Sequence, residues 1–166
     1  YCELVDTIYI QKNGLKTLTC PNLQMINLDK TGTFRVSDNC YDPSVMTHRS
    51  WFVLPPVMEW YYKKGNPLYK NLPPLSSDCE SNNSAIPMEF IYPDENTRLY
   101  LPVDIDGTVA SIVLEVAHRN PESILYWHLD KEYIGMTKKN HRITVQPYFG
   151  NHIITVIDDE GKSITT

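Results

Sequence analysis

Groups able to do chemistry are spread thinly along this sequence. Five histidines, His48, His118, His128, His141 and His152, could serve as metal ligands or proton carriers. Zinc sites draw their ligands at short fixed spacings, and no two of these histidines lie at one. His152 also shares a face with Ile154 and Val156 in an alternating run, which favours a hydrogen-bonded structural role over ligation. Asp104 and Asp106 before Gly107 resemble the start of a calcium loop, but the further oxygen donors and the closing Glu are missing. A turn capped by acidic side chains is the favoured reading. Neither a glycine-rich phosphate loop nor a pair of catalytic carboxylates stands out, so no metal and no cofactor is expected.

Two tripeptides are more specific. Lys30-Thr31-Gly32 and Ser37-Asp38-Asn39 are the K-T-G and S-D-N signatures of penicillin-recognising serine enzymes. Those enzymes also need S-x-x-K, in which the Ser attacks and the Lys one helical turn away helps to activate it. No Ser in this sequence is followed three positions later by Lys. K-T-G also comes before S-D-N, the reverse of the order in the enzymes. Lys30-Thr31-Gly32 is better explained as a turn, and no catalytic residue is assigned.

The cysteines Cys2, Cys20, Cys40 and Cys79 all lie in the first half of the chain. Their wide gaps match neither a zinc knuckle nor a redox pair, and an even number suggests two disulfides made in an oxidising compartment. Three connectivities are open, and Cys2–Cys20 with Cys40–Cys79 is favoured. Four buried thiols are the competing reading.

The elements that must carry these residues are mostly strands. A chain of 166 residues can hold one large domain or two small ones. It opens on Tyr1 rather than Met and is expected to be an excised or processed piece, with neither a signal peptide nor a membrane-spanning run. Residues 1–85 balance eight basic against eight acidic side chains, whereas residues 86–166 carry seven against twelve. An acidic half without a basic stripe argues against nucleic acid and against direct contact with an anionic membrane.

In residues 1–85, Thr7–Lys12 and Leu15–Cys20 flank Asn13-Gly14, which suits the tight turn of a hairpin. Met25–Leu28 and Thr33–Val36 read as a second hairpin closed by Asp29–Gly32. Pro56 suits a first helical position, and Val57–Lys64 reads as two turns of helix ended by Gly65. Trp51, Phe52, Trp60, Tyr61 and Tyr62 crowd this segment. They read first as the core of a small proline-rich unit, with a ligand platform as the alternative. Lys70–Pro87 reads as a linker, and Asn82-Asn83-Ser84 matches a glycosylation sequon.

Residues 86–166 show short alternating runs and turn signals at the spacing of an all-β sandwich. Arg98–Leu101 reads as a strand. Ile112, Leu114 and Val116 share a face of the next. Ile124–Asp130 alternates most cleanly, with Leu125, Trp127 and Leu129 on one side and Trp127 as the expected core residue. Asp130-Lys131 turns the chain into Glu132–Ile134. Ile143 with Val145, then His152 with Ile154 and Val156, supply two more strands, the last closed by Asp158–Gly161. The fold expected is mainly β. It is an immunoglobulin-like β-sandwich over 86–166, preceded by a small disulfide-stapled β-hairpin unit over 1–85 with one short helix.

Ser50-Trp-Phe-Val-Leu-Pro-Pro-Val-Met-Glu-Trp-Tyr-Tyr62, with Tyr69-Lys-Asn-Leu-Pro-Pro74 and Cys79, resembles the segment that follows the transpeptidase domain in penicillin-binding protein 1C. Leu99–Gly107, Leu125–Asp130 with Tyr133-Ile-Gly135, and Gly150–Gly161 resemble the C-terminal domain of the same family. The resemblance implies a periplasmic origin, tethered to the inner membrane through a parent enzyme that polymerises and crosslinks peptidoglycan. It brings neither activity to this chain, because neither the nucleophile motif nor a glycosyltransferase domain is present. It implies a non-catalytic accessory region that docks a protein or positions the parent's catalytic domains. A bacterial α2-macroglobulin-like protein is a further candidate partner. The exposed strand edges and the segment holding Trp51, Trp60, Tyr61 and Tyr62 are the expected contact surfaces. The alternative is a peptidoglycan-binding module in which these rings stack on sugars.

Overall fold

The computed structural model describes residues 9–12, 14, 20–79, 86–103, 105, 107 and 109–166. The expected Asn13-Gly14 hairpin, the sequon, Asp104, Asp106 and Cys2 lie wholly or largely outside them. The chain forms two compact units: Tyr1–Leu54 with Lys70–Asn83, and Pro55–Tyr69 with Ser84–Thr166.

In the first unit, β1 (Leu23–Leu28) pairs antiparallel with β2 (Thr47–Phe52), Leu23 opposite Phe52 and Leu28 opposite Thr47. Ile26 and Leu28, two positions apart on one face, are buried with Val36, Val53 and Leu54. The expected partner of β1, Thr33–Val36, meets it only through a single bridge between Leu28 and Arg35. The turn between them is present, since the Asp29 carboxylate accepts from the Thr33 and Phe34 amides at 2.8 and 3.0 Å and also from the Thr31 hydroxyl. Behind this turn Asp29 N donates to Phe34 O at 2.9 Å and Val36 N to Asn27 O at 3.0 Å, so the segment closes a short hairpin on one edge of β1 and leaves the other edge to β2.

Part of the expected linker is also packed. Arg35 donates from its amide to Pro74 O and from Nε to Pro73 O, and its carbonyl accepts from Ser76 N, all at 2.7–2.9 Å. This brings Cys79 to Cys40, and the two form a disulfide with Cα atoms 5.0 Å apart. Cys20 is exposed with a free thiol.

In the second unit, α1 (Pro56–Gly65) precedes seven strands. These are β3 (Met88–Tyr92), β4 (Ile112–His118), β5 (Ile124–Leu129), β6 (Glu132–Lys138), β7 (Arg142–Val145), β8 (Ile154–Asp158) and β9 (Ser163–Thr165). One sheet has the order β3-β4-β7 and the other β6-β5-β8-β9, with all pairs antiparallel. The chain therefore changes sheets after β4, β6 and β7, a Greek-key sandwich. Arg98–Leu101, expected as a strand, is irregular, and the first strand is instead Met88–Tyr92.

The two sheets close on one cluster: Met88, Leu114, Val116 and Val145 from the first, Leu125, Trp127, Ile154 and Val156 from the second. Trp127 has no exposed surface, and its indole N–H donates to Thr137 Oγ1 at 2.8 Å, so the one polar atom of the ring is satisfied inside the core. Opposite it lies Gly135, at φ +149 with Ile143 Cδ1 only 3.1 Å from where a Cβ would sit. The β5–β6 ladder bulges at this point, between Trp127 and His128.

Candidate interaction surfaces

The helix carries the first surface. Pro56 opens α1 with no amide to satisfy, and Lys63 and Lys64 favour its C-terminal end. Its one buried residue is Glu59 rather than a ring. The Glu59 carboxylate receives the Arg119 guanidinium, just beyond β4, and the Lys63 ammonium at 2.6 Å. The Val57 amide donates to Glu89 Oε2 on β3 at 3.1 Å. These contacts explain why the helix, expected within residues 1–85, belongs to the compact unit of the sandwich. A shallow cleft of about 300 Å³ lies beside them, walled by Trp60, Lys64, Pro121 and the Glu59–Arg119 pair.

The four rings expected to form a contact surface are divided. Trp51 lies half-buried on β2 in the first unit, while Trp60, Tyr61 and Tyr62 lie on α1 in the second. Tyr61 meets Trp60 edge-on at 4.8 Å and 90°. Lys64 Nζ sits 3.1 Å from the Trp60 ring centre, so a cation already covers one face of the indole. Tyr62 packs edgewise on Tyr69.

Lys30-Thr31-Gly32 forms the tip of the Asp29 turn, with the Gly32 amide bonded to Asp29 O at 2.9 Å and Gly32 at φ +75. Ser37 opens a separate turn that delivers Cys40 to its disulfide, and its hydroxyl lies 3.4 Å from Cys40 Sγ. Each tripeptide is thus accounted for by the turn it makes.

Histidines and carboxylates gather at two places in the sandwich that their spacing did not reveal. His152 Nδ1 lies 2.9 Å from Asp130 Oδ2 and its Nε2 lies 2.7 Å from Tyr148 O. With an acceptor at each nitrogen the protonated ring is favoured, and its pKa is raised, first by the hydrogen bond to Asp130 and then by that to Tyr148 O. Asp130 also accepts from the Ile153 amide at 2.9 Å, and that bond with His152 lowers its own pKa. The pair ties the β5–β6 turn to the segment leading into β8.

At the opposite end of β8, Asp158 is buried and caps the β8–β9 turn, accepting from the Lys162 and Glu160 amides at 2.7 and 3.0 Å. Its second oxygen lies 3.5 Å from His118 Nε2. The His118 and His141 rings stand 6.1 Å apart. Burial, and then the proximity of His118, lower the His141 pKa to about 4. Among the described residues, no three His, Cys, Asp or Glu side chains are placed to hold a metal ion together.

A second opening, about 470 Å³, runs between the edge strands β3 and β9. Met88, Phe90 and Ile164 line it on the apolar side, and Glu89, Asp94 and Glu95 on the charged side. Nothing in the local sequence announces it, because β3 ends at Tyr92 while β9 begins only at Ser163, and the three-residue β9 is too short to show a period.

A buried strand Trp, two antiparallel sheets and Greek-key crossings define the second unit as an immunoglobulin-like sandwich. Residues 77–166, more than half the chain, match the model of the Penicillin-Binding Protein C-terminus Family, and the chain belongs to that family. It is accordingly a piece of a cell-wall-related, penicillin-binding protein. No curated protein and no solved structure matches the chain significantly. Among the described residues, no helix is long and apolar enough to cross a membrane.

Proposed function

We propose that this chain is a non-catalytic accessory region of a periplasmic, bifunctional peptidoglycan synthase of the penicillin-binding protein 1C type. It docks a protein or positions the catalytic domains of its parent, which holds it at the inner membrane. The family match across the whole sandwich carries this reading. Two features support it. The Asp158 carboxylate closes the β8–β9 turn and Glu59 anchors the helix, and the S-D-N serine is turned toward a disulfide. The catalytic domains of the parent are the first candidate partners, and a bacterial α2-macroglobulin-like protein is the second.

The competing reading, a sugar-binding module, needs flat rings with open faces. It has less support, because Tyr61 stands perpendicular to Trp60 and Lys64 occupies one face of the indole. Affinity capture from periplasmic extract separates the two. The docking reading expects a discrete protein retained in proportion to the bait. Sedimentation of the chain with purified peptidoglycan, with no protein retained, would overturn it.

A further inference from the structure

The ladder between β8 and β9 leaves one row of backbone groups facing outward. Ile154 and Thr166 exchange both of their backbone hydrogen bonds, at 2.9 and 3.0 Å, and the Asp158 amide donates to Lys162 O at 2.9 Å. Antiparallel ladders alternate between hydrogen-bonded and non-bonded pairs. Val156 with Ile164 therefore also faces inward along the ladder, while Ser163 and Thr165 point their N–H and C=O groups away from β8. Both residues are exposed, and β9 is the last strand of its sheet.

That free edge borders the groove described above. The floor is apolar: Met88 is buried, and Phe90 and Ile164 are half-buried. The rim holds Glu89, Asp94 and Glu95, and no Lys, Arg or His is among the lining residues. A strand edge beside an apolar slot is the geometry of β-augmentation, where the main chain supplies affinity and alternate side chains supply selectivity. The charge selects the occupant. Two copies pairing edge to edge would bring two acidic rims together, and an anionic lipid surface would be repelled in the same way.

Building on the docking reading, we propose that β9 accepts an extended, basic segment of a partner protein as an additional strand. Its inward side chains are apolar and enter the groove against Met88, Phe90 and Ile164. Its lysines or arginines face Asp94 and Glu95.

A peptide of alternating Lys and Val tests this by amide hydrogen exchange on the whole chain. The proposal expects the Ser163 and Thr165 amides to slow at least tenfold with the peptide present, and the effect to weaken as salt is raised. Thr165→Pro removes an N–H that β8 does not use, so the sandwich should fold while peptide protection is lost. Asp94→Lys with Glu95→Lys should weaken the peptide at least tenfold. Unchanged exchange at both amides would overturn the proposal. So would equal protection by an alternating Glu and Val peptide, or a dimer of the chain that Thr165→Pro dissolves. If extract capture is as strong with Thr165→Pro as with the native chain, docking stands and this groove is not its site. If the native chain captures nothing, the docking reading itself fails.

Discussion

The carboxylate of Glu59, in the middle of α1, is buried against the guanidinium of Arg119, 60 residues further along the chain. This pair, with the Val57–Glu89 hydrogen bond, makes a helix from the aromatic segment part of the C-terminal sandwich. Removing one partner of a buried ion pair strands the other charge and typically costs about 3–5 kcal/mol. Glu59→Ala should therefore destabilise the second unit by about 3 kcal/mol in urea unfolding. Exchanging both residues for Met should cost far less than the sum of the single changes, because the buried guanidinium leaves with its partner and Lys63, whose side chain is 30% exposed, can turn to water.

Trp127 fills the space between the sheets. Trp127→Ala should cost about 3–5 kcal/mol by the same measurement. Trp127→Phe should cost less, although it leaves the Thr137 hydroxyl without its indole donor.

The two histidine clusters have opposite pH signatures. His141 stays neutral in the fold down to about pH 4, while the unfolded chain takes up its proton near pH 6.5. Between those values the unfolded state binds more protons, so stability falls as the pH drops from 6.5 towards 4. His152 has a raised pKa, so its contribution is full below its unfolded value and is lost as pH rises through the folded one. Asp130, with a lowered pKa, contributes above its unfolded value and loses that contribution as the pH falls through its folded one. Histidine NMR titrations should place His152 above 6.5 and His141 well below it. His152→Asn should remove the histidine-linked loss of stability on the alkaline side, and His141→Asn the loss between pH 6.5 and about 4, leaving the Asp130 contribution at lower pH.

The Cys40–Cys79 disulfide spans 39 residues of chain. Loop-closure entropy assigns such a crosslink about 4 kcal/mol. Replacing both cysteines by Ser should destabilise the first unit by about 2–4 kcal/mol and leave unfolding of the sandwich unchanged.

The parts legible in the sequence are those decided by neighbouring residues. Alternation around Trp127 fixed its strand and its burial, Pro56 and Gly65 bracketed the helix, and Asp29 to Gly32 marked a turn. What could not be read depends on distant pairing. Thr33–Val36 closes a short hairpin on one edge of β1, as its turn signalled, but the long ladder of β1 is made with Thr47–Phe52, and no local pattern connects those two segments. Arg98–Leu101 alternates like a strand but reaches no ladder, whereas Met88–Tyr92 gains strand structure by pairing with β4. The aromatic residues of α1 drew notice as a surface. The residue that anchors the helix is Glu59, and its role depends on Arg119, which no local pattern connects to it.

The central proposal is that this member of a penicillin-binding protein family acts through its shape, with no acylating serine. Incubation of the whole chain with a fluorescent penicillin, followed by denaturing electrophoresis, tests it directly. The account predicts no covalently labelled band. A covalently labelled band would contradict it, and loss of that band in Ser37→Ala would place the acylated serine.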